Sequence, residues 1–148
     1  MGKGKQHKFN ERTDYSYERE LKGLPLRSAK SEPFIVLSFR NFDRSQGQSF
    51  QEWEKNQLLA LAIEKLTGIC QFTVPQAIAN KMIKQYSKGT FPKNSDFHHP
   101  KHVPDDIAWC SMHIQGKECV IGYFTDNIFN IVFLDKEHRF WISEKKHT

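Results

Sequence analysis

Residues 107–134 read IAWCSMHIQGKECVIGYFTDNIFNIVFL, and this stretch decides the fold. From Ile107 to Ile114 the side chains alternate. Ala108, Cys110, Met112 and Ile114 fall on one face, and Ile107, Trp109, Ser111 and His113 on the other. A period of two is the pattern of a strand with two distinct faces. Gln115-Gly116-Lys117 reads as a turn, Glu118–Phe124 as a second strand, Asp126-Asn127 as a second turn and Asn127–Leu134 as a third strand. Phe129–Leu134 is nearly continuous in apolar character, which makes the third strand central. Arg139-Phe140-Trp141-Ile142 is expected to add a short final strand.

Upstream the period changes. Thr73-Val74-Pro75-Gln76 has a capping residue, an early proline and a Gln that can reach back, and it predicts a helix to about Tyr86. Val74, Ile78, Met82 and Tyr86 would share one face of that helix. Ser49-Phe50-Gln51-Glu52 is a capping box that opens another helix, expected to continue through Leu66 with Leu59, Ala62, Ile63 and Leu66 on its apolar stripe. The short gap between the two predicts a helical hairpin. Phe34–Phe39, bounded by Pro33 and polar residues, reads as a strand. The order predicts an α+β domain over residues 32–142: an N-terminal strand, an α-helical hairpin, then a three- to four-stranded antiparallel meander with the helices on one face. The other face mixes polar and aromatic residues and is expected to stand open as a ligand surface. Residues 90–105 hold three of the six prolines and no regular period, and read as a long connector of the kind that often carries function.

Charge is uneven along the 148 residues. Residues 1–30 hold eight Lys/Arg against four Asp/Glu, a net of +4, and the rest of the chain has a net of only +1. Residues 1–31 are therefore expected to be a basic, disordered leader, and 143–148 a polar tail. The leader has no apolar segment behind it, and no apolar run approaches the roughly 20 residues of a membrane helix, so neither a secretory signal nor a membrane anchor is expected. Three scattered cysteines (Cys70, Cys110, Cys119) exclude a disulfide scaffold and point to a reducing, cytoplasmic setting. Within the folded part, residues 73–90 carry Lys81, Lys84 and Lys88 with no acid.

No P-loop, GxGxxG, His-Glu-x-x-His or GxSxG is present. Two segments hold the chemistry. Phe97-His98-His99-Pro100-Lys101-His102-Val103-Pro104, followed by Asp105 and Asp106, offers ligand types suited to zinc or iron. Adjacent histidines rarely share one ion, however, and Lys101 opposes a cation. Contact of Lys101 and the histidines with phosphate or bases, and a merely hydrogen-bonded loop, are the other readings. No metal and no cofactor is expected. Trp109, just downstream, reads as core or as a platform on which a base stacks. In Asp135-Lys136-Glu137-His138-Arg139, at the end of the central strand, His138 can move a proton and Arg139 can hold a phosphate, with Asp135 orienting the ring. An ordinary charged turn has the same composition. Lys117 and Tyr123 would flank this surface.

Residues 116–139, GKECVIGYFTDNIFNIVFLDKEHR, are similar to the C-terminal half of RelE/ParE-like toxins, the group that includes the HigB toxins. The likeness in element order extends over about residues 50–141. His138 and Arg139 match the late basic pair of that family, Lys117 its basic hairpin residue, and Tyr123 lies on the strand that often supplies catalytic or phosphate-binding groups. Glu118–Gly122 departs from the family in having no arginine, and the 90–105 connector is longer than typical. The resemblance implies a metal-independent endoribonuclease acting on messenger RNA, in some members on the ribosome and held inactive by an antitoxin. His138 would be one proton-transfer group and His102 or His113 the other, with Arg139, Lys117 and Lys101 on the phosphate. The alternative is a non-catalytic module that binds RNA or protein, including a gyrase-type poison.

Overall fold

In the computed structural model, which describes residues 32–143, the chain runs β1 (Val36–Ser38), α1 (Phe50–Lys55), α2 (Leu59–Ile69), α3 (Val74–Ala79), β2 (Lys84–Gln85), β3 (Trp109–His113), β4 (Cys119–Thr125) and β5 (Ile128–Asp135). This is the expected α+β order. The expectations for residues 1–31 and for the tail after residue 143 lie outside the described residues. The five strands form one mixed sheet in the order β1-β5-β4-β3-β2. β3, β4 and β5 are the antiparallel meander, and β1 joins parallel to β5, so β5 is paired on both sides.

The helical region departs from the hairpin in one respect: there are three short helices. Both expected capping boxes form, at Ser49 with Glu52 and at Thr73 with Gln76. The expected continuation does not. After α1 the chain turns through Gln57, whose φ is 60°, and the Gln57 and Leu58 N–H groups donate back to Glu54 and Trp53 carbonyls. After α3 the same exit is made by Lys81 at φ 59°, with Lys81 and Met82 N–H donating to Ile78 and Ala77. Both are Schellman endings, which satisfy the orphan carbonyls of a helix terminus and normally use glycine at the left-handed position. Here Gln and Lys occupy it. Tyr86 is therefore off the helix, and β2 pairs with β3 where helix was expected.

The sheet has a core on each side. Residues of the helices (Trp53, Ala62, Leu66, Ile69, Ala77) pack with Cys110, Met112, Val120, Phe129 and Ile131 on one face. The opposite face is not open. Phe91, Phe97 and Val103 of the connector, and Phe140 beyond β5, close over Trp109, Tyr123 and Phe133. Trp109 stacks on Phe133 at 5.7 Å and 11°, and Phe91 and Phe140 meet it edge-on or tilted at 5.7 and 5.3 Å. Large aromatic side chains on a sheet face are stabilised by cover, at roughly 25 cal/mol per Å² of apolar area removed from water. The long connector supplies that cover. The expected fourth meander strand is also absent: Arg139–Ile142 is irregular, with a bend at Phe140–Trp141, and Phe140 enters this second core.

A bulge lets β5 serve both cores. Ile121 pairs with Phe133 but Gly122 with Ile131, so Val132 is the extra residue, and Val132 and Phe133 both face the second core. Gly122 is required there, because a Cβ would stand 2.1 Å from the Asn130 carbonyl oxygen. Gly122→Ala should lower stability by about 2 kcal/mol or more, a fall of roughly 5–15 °C in the thermal midpoint. An unchanged midpoint in calorimetry would show that the strands absorb the methyl group.

Candidate functional site

The register lines up three side chains across the meander. His113 lies opposite Cys119, and Cys119 lies opposite Asp135, so the three form one row on the second-core face. Residues directly opposite on one face of an antiparallel pair bring their side chains together. At the end of the row Asp135 is buried, and its two carboxylate oxygens accept the N–H groups of Arg139 and Phe140, both at 2.8 Å. That double bond folds the chain back, with His138 at φ 61° in the turn. The result sets the His138 ring beside that of His113, centroids 5.3 Å apart. Asp135 thus positions the histidine through the backbone of its turn, not by bonding to its ring.

His113 is held in one tautomer. Its Nδ1 is 2.8 Å from the Gly116 carbonyl oxygen. A carbonyl only accepts, so Nδ1 carries the proton and donates, and Nε2 keeps its lone pair. The Cys119 thiol is buried within 4.8 Å of a ring nitrogen of each histidine, and burial, with the charges of Asp135 and Glu118, pushes it up to about 12. On the rim, Lys117 Nζ donates to Glu137 Oε1 at 2.7 Å, which raises the ammonium above its ordinary value and lowers the carboxyl below its own.

A cleft of about 350 Å³ opens beside His113, past the short strand β2. Lys65 of α2, Lys81 of the α3 exit and Lys84 of β2 line it together with His113, and no carboxylate does. Among the described residues these three lysines make no ion pair. The acid-free lysine run 73–90 was the sequence signal for this surface. Lys65, carried on a separate helix, gave none.

The other expected site residues are placed differently. Trp109 and Tyr123 are only 1% and 3% exposed, so neither ring face is available to a base or phosphate. Tyr123 Oη instead accepts from Asn41 Nδ2 at 2.8 Å. Arg139 Nε is bonded to Asp96 at 2.5 Å, and its carbonyl accepts from the Asp96 N–H, so this residue ties the connector to the turn after β5. His102 Nε2 is 2.8 Å from the Asn41 carbonyl, and His99 Nε2 2.9 Å from the Val103 carbonyl. Both histidines therefore pin loops, and neither joins the group around His138. Lys101 is exposed in the turn between them. Of the four expected catalytic residues the structure brings together His113 and His138, and leaves His102 and Arg139 outside.

Compared with protein-family models, with curated proteins and with solved structures, the chain matches none. No helix among the described residues is long and apolar enough to cross a membrane.

Burial raises the Asp135 carboxyl, and the N–H groups of Arg139 and Phe140 and the His138 charge offset that only in part. With a raised folded value, the stabilising contribution of Asp135 is fully present below its unfolded range and is lost as pH rises through the folded one. Asp135→Ala should cost about 2 kcal/mol or more, because two buried N–H groups lose their acceptor. In denaturant unfolding the gap between wild type and variant should be widest in acid and narrow toward neutrality. A gap that widens with pH would contradict this.

Proposed function

We propose that this protein is an endoribonuclease that cleaves RNA by metal-independent acid–base chemistry between His113 and His138. The reading is supported above all by one observation: two imidazoles, one with a fixed Nε2 lone pair, stand 5.3 Å apart, and His113 of the pair also borders a cleft lined by three lysines and no acid. Neutral His113 takes the proton of a ribose 2′-hydroxyl through Nε2. The freed oxygen attacks the adjacent phosphorus, and the 5′-oxygen leaves with a proton from His138. The products are a 2′,3′-cyclic phosphate and a 5′-hydroxyl. Lys65, Lys81 and Lys84 hold the flanking phosphates, the role expected of Arg139, Lys117 and Lys101. Lys117, paired with Glu137, stays at the rim. The toxin resemblance adds the partners of this reading: messenger RNA, the ribosome as a supplier of part of the site, and a cognate antitoxin.

A second reading, a non-catalytic binding module, is favoured by a different surface. Phe34, Val36 and Phe39 are 62%, 48% and 45% exposed on and just beside the outer strand β1. Exposed apolar side chains on a strand that has a sheet neighbour on one side only, among the described residues, suit a protein partner.

His113→Ala and His138→Ala should each lower single-turnover cleavage of RNA by about 10²–10⁴-fold while circular dichroism stays native. The wild-type rate should be bell-shaped in pH, since one imidazole must be neutral and the other protonated. Changing Lys81 and Lys84 together to Glu should weaken RNA binding and flatten its salt dependence by about two counterions. Binding of RNA or of a protein with no product from wild type would favour the second reading.

A further inference from the structure

The row beneath the two histidines holds a group that acid–base cleavage leaves idle, the buried Cys119 thiol. One ring nitrogen of His113, one of His138 and the Cys119 Sγ all lie within 4.8 Å of one another. We propose that these three side chains bind a single zinc ion, and that bound zinc switches the acid–base pair off. The switch rests on the acid–base reading; the metal site does not.

The donor set argues for zinc. Two imidazoles and a thiolate, with a fourth position left to water, are the nitrogen and sulfur donor types that zinc takes, whereas magnesium and calcium demand oxygen. No axial Met of the kind a copper site carries belongs to the group. The distances argue for a site nearly formed. An ion equidistant from three atoms 4.8 Å apart would be about 2.8 Å from each, against roughly 2.0–2.3 Å for Zn–N and Zn–S bonds. Closing the gap takes about 0.5 Å at the sulfur and about 0.7 Å at each ring nitrogen. Cys119 is fixed by pairing on both sides, to His113 of β3 and Asp135 of β5, so the rings supply the movement. His113 is exposed and His138 half-buried, and both can turn.

The supporting shell is already in place. Metal-bound histidines nearly always donate their second ring N–H to a carbonyl or carboxylate, and the His113 Nδ1–H to Gly116 bond has that form. Next in the row, the Asp135 carboxylate adds negative charge beneath a bound cation. The Cys119 S–H now points at the Lys117 carbonyl, 3.5 Å away. On binding, the S–H bond breaks, the Zn–S bond forms and the proton passes to solvent. With both imidazole lone pairs committed to the ion, neither ring can exchange a proton with RNA.

The test uses the full chain, freed of metal with a chelator and titrated with Co²⁺ as the optical probe. One equivalent should bind with a near-ultraviolet thiolate-to-cobalt absorption, and one equivalent of Zn²⁺ should displace it. Cys119→Ser should abolish that absorption. His113→Gln, at an exposed position that does not endanger folding, should weaken cobalt binding at least tenfold. No thiolate absorption in wild type, or affinity unchanged in both variants, would overturn the site. RNA cleavage by the metal-free protein should fall at least tenfold with one equivalent of Zn²⁺. Cleavage undiminished with zinc bound would overturn the switch. Normal cobalt binding with no cleavage by metal-free protein would support the metal site and overturn the acid–base reading instead.

Discussion

The buried Asp135 carboxylate at the end of β5 is the constraint from which the site and half the core follow. Its two oxygens hold the N–H groups of Arg139 and Phe140, and that reverses the chain within four residues. The reversal drops the Phe140 ring onto Trp109 and Phe133, and sets the His138 ring over His113. Packing and site geometry are thus coupled through one side chain. A carboxylate in such a place is costly to bury and pays its way only through the bonds it accepts.

A sheet covered on both faces moves the accessible chemistry to its edge. The connector between β2 and β3 spans the aromatic face, held by Gln46 to His98, by His102 to the Asn41 carbonyl and by Asp96 to Arg139. Each of these polar side chains satisfies a loop backbone or another side chain. Among the described residues, the outer side of β1 stays uncovered, as does the edge of β3 beyond the two-residue strand β2. There His113 adjoins both the lysine cleft and the His138 turn.

Much of the fold was legible because its signals are local. The alternation of 107–114, the turns at Gly116 and Asp126, and both capping boxes each act within a few residues, and all formed. The helix ends were not legible, since Gln57 and Lys81 take the left-handed position that glycine usually marks. Nor was the closed second face: nothing in Phe91 or Phe97 says which distant ring it will cover. The site divided the same way. His138 was singled out by its place at a strand end and His113, with His102, only as a possible second proton-transfer group; their meeting depends on the register His113–Cys119–Asp135, a long-range property. Arg139 was chosen beside His138 and Tyr123 for its strand, and their partners Asp96 and Asn41 lie 43 and 82 residues away in sequence.

The ends left on RNA test the central claim most directly, because they record which oxygen attacked phosphorus. A short labelled RNA, incubated with chelator-treated protein and ribosomes, should acquire 2′,3′-cyclic phosphate and 5′-hydroxyl ends, as transfer of the 2′-hydroxyl proton to an imidazole requires. Fragments ending in a 3′-hydroxyl and a 5′-phosphate, or RNA left intact, would contradict acid–base cleavage by His113 and His138.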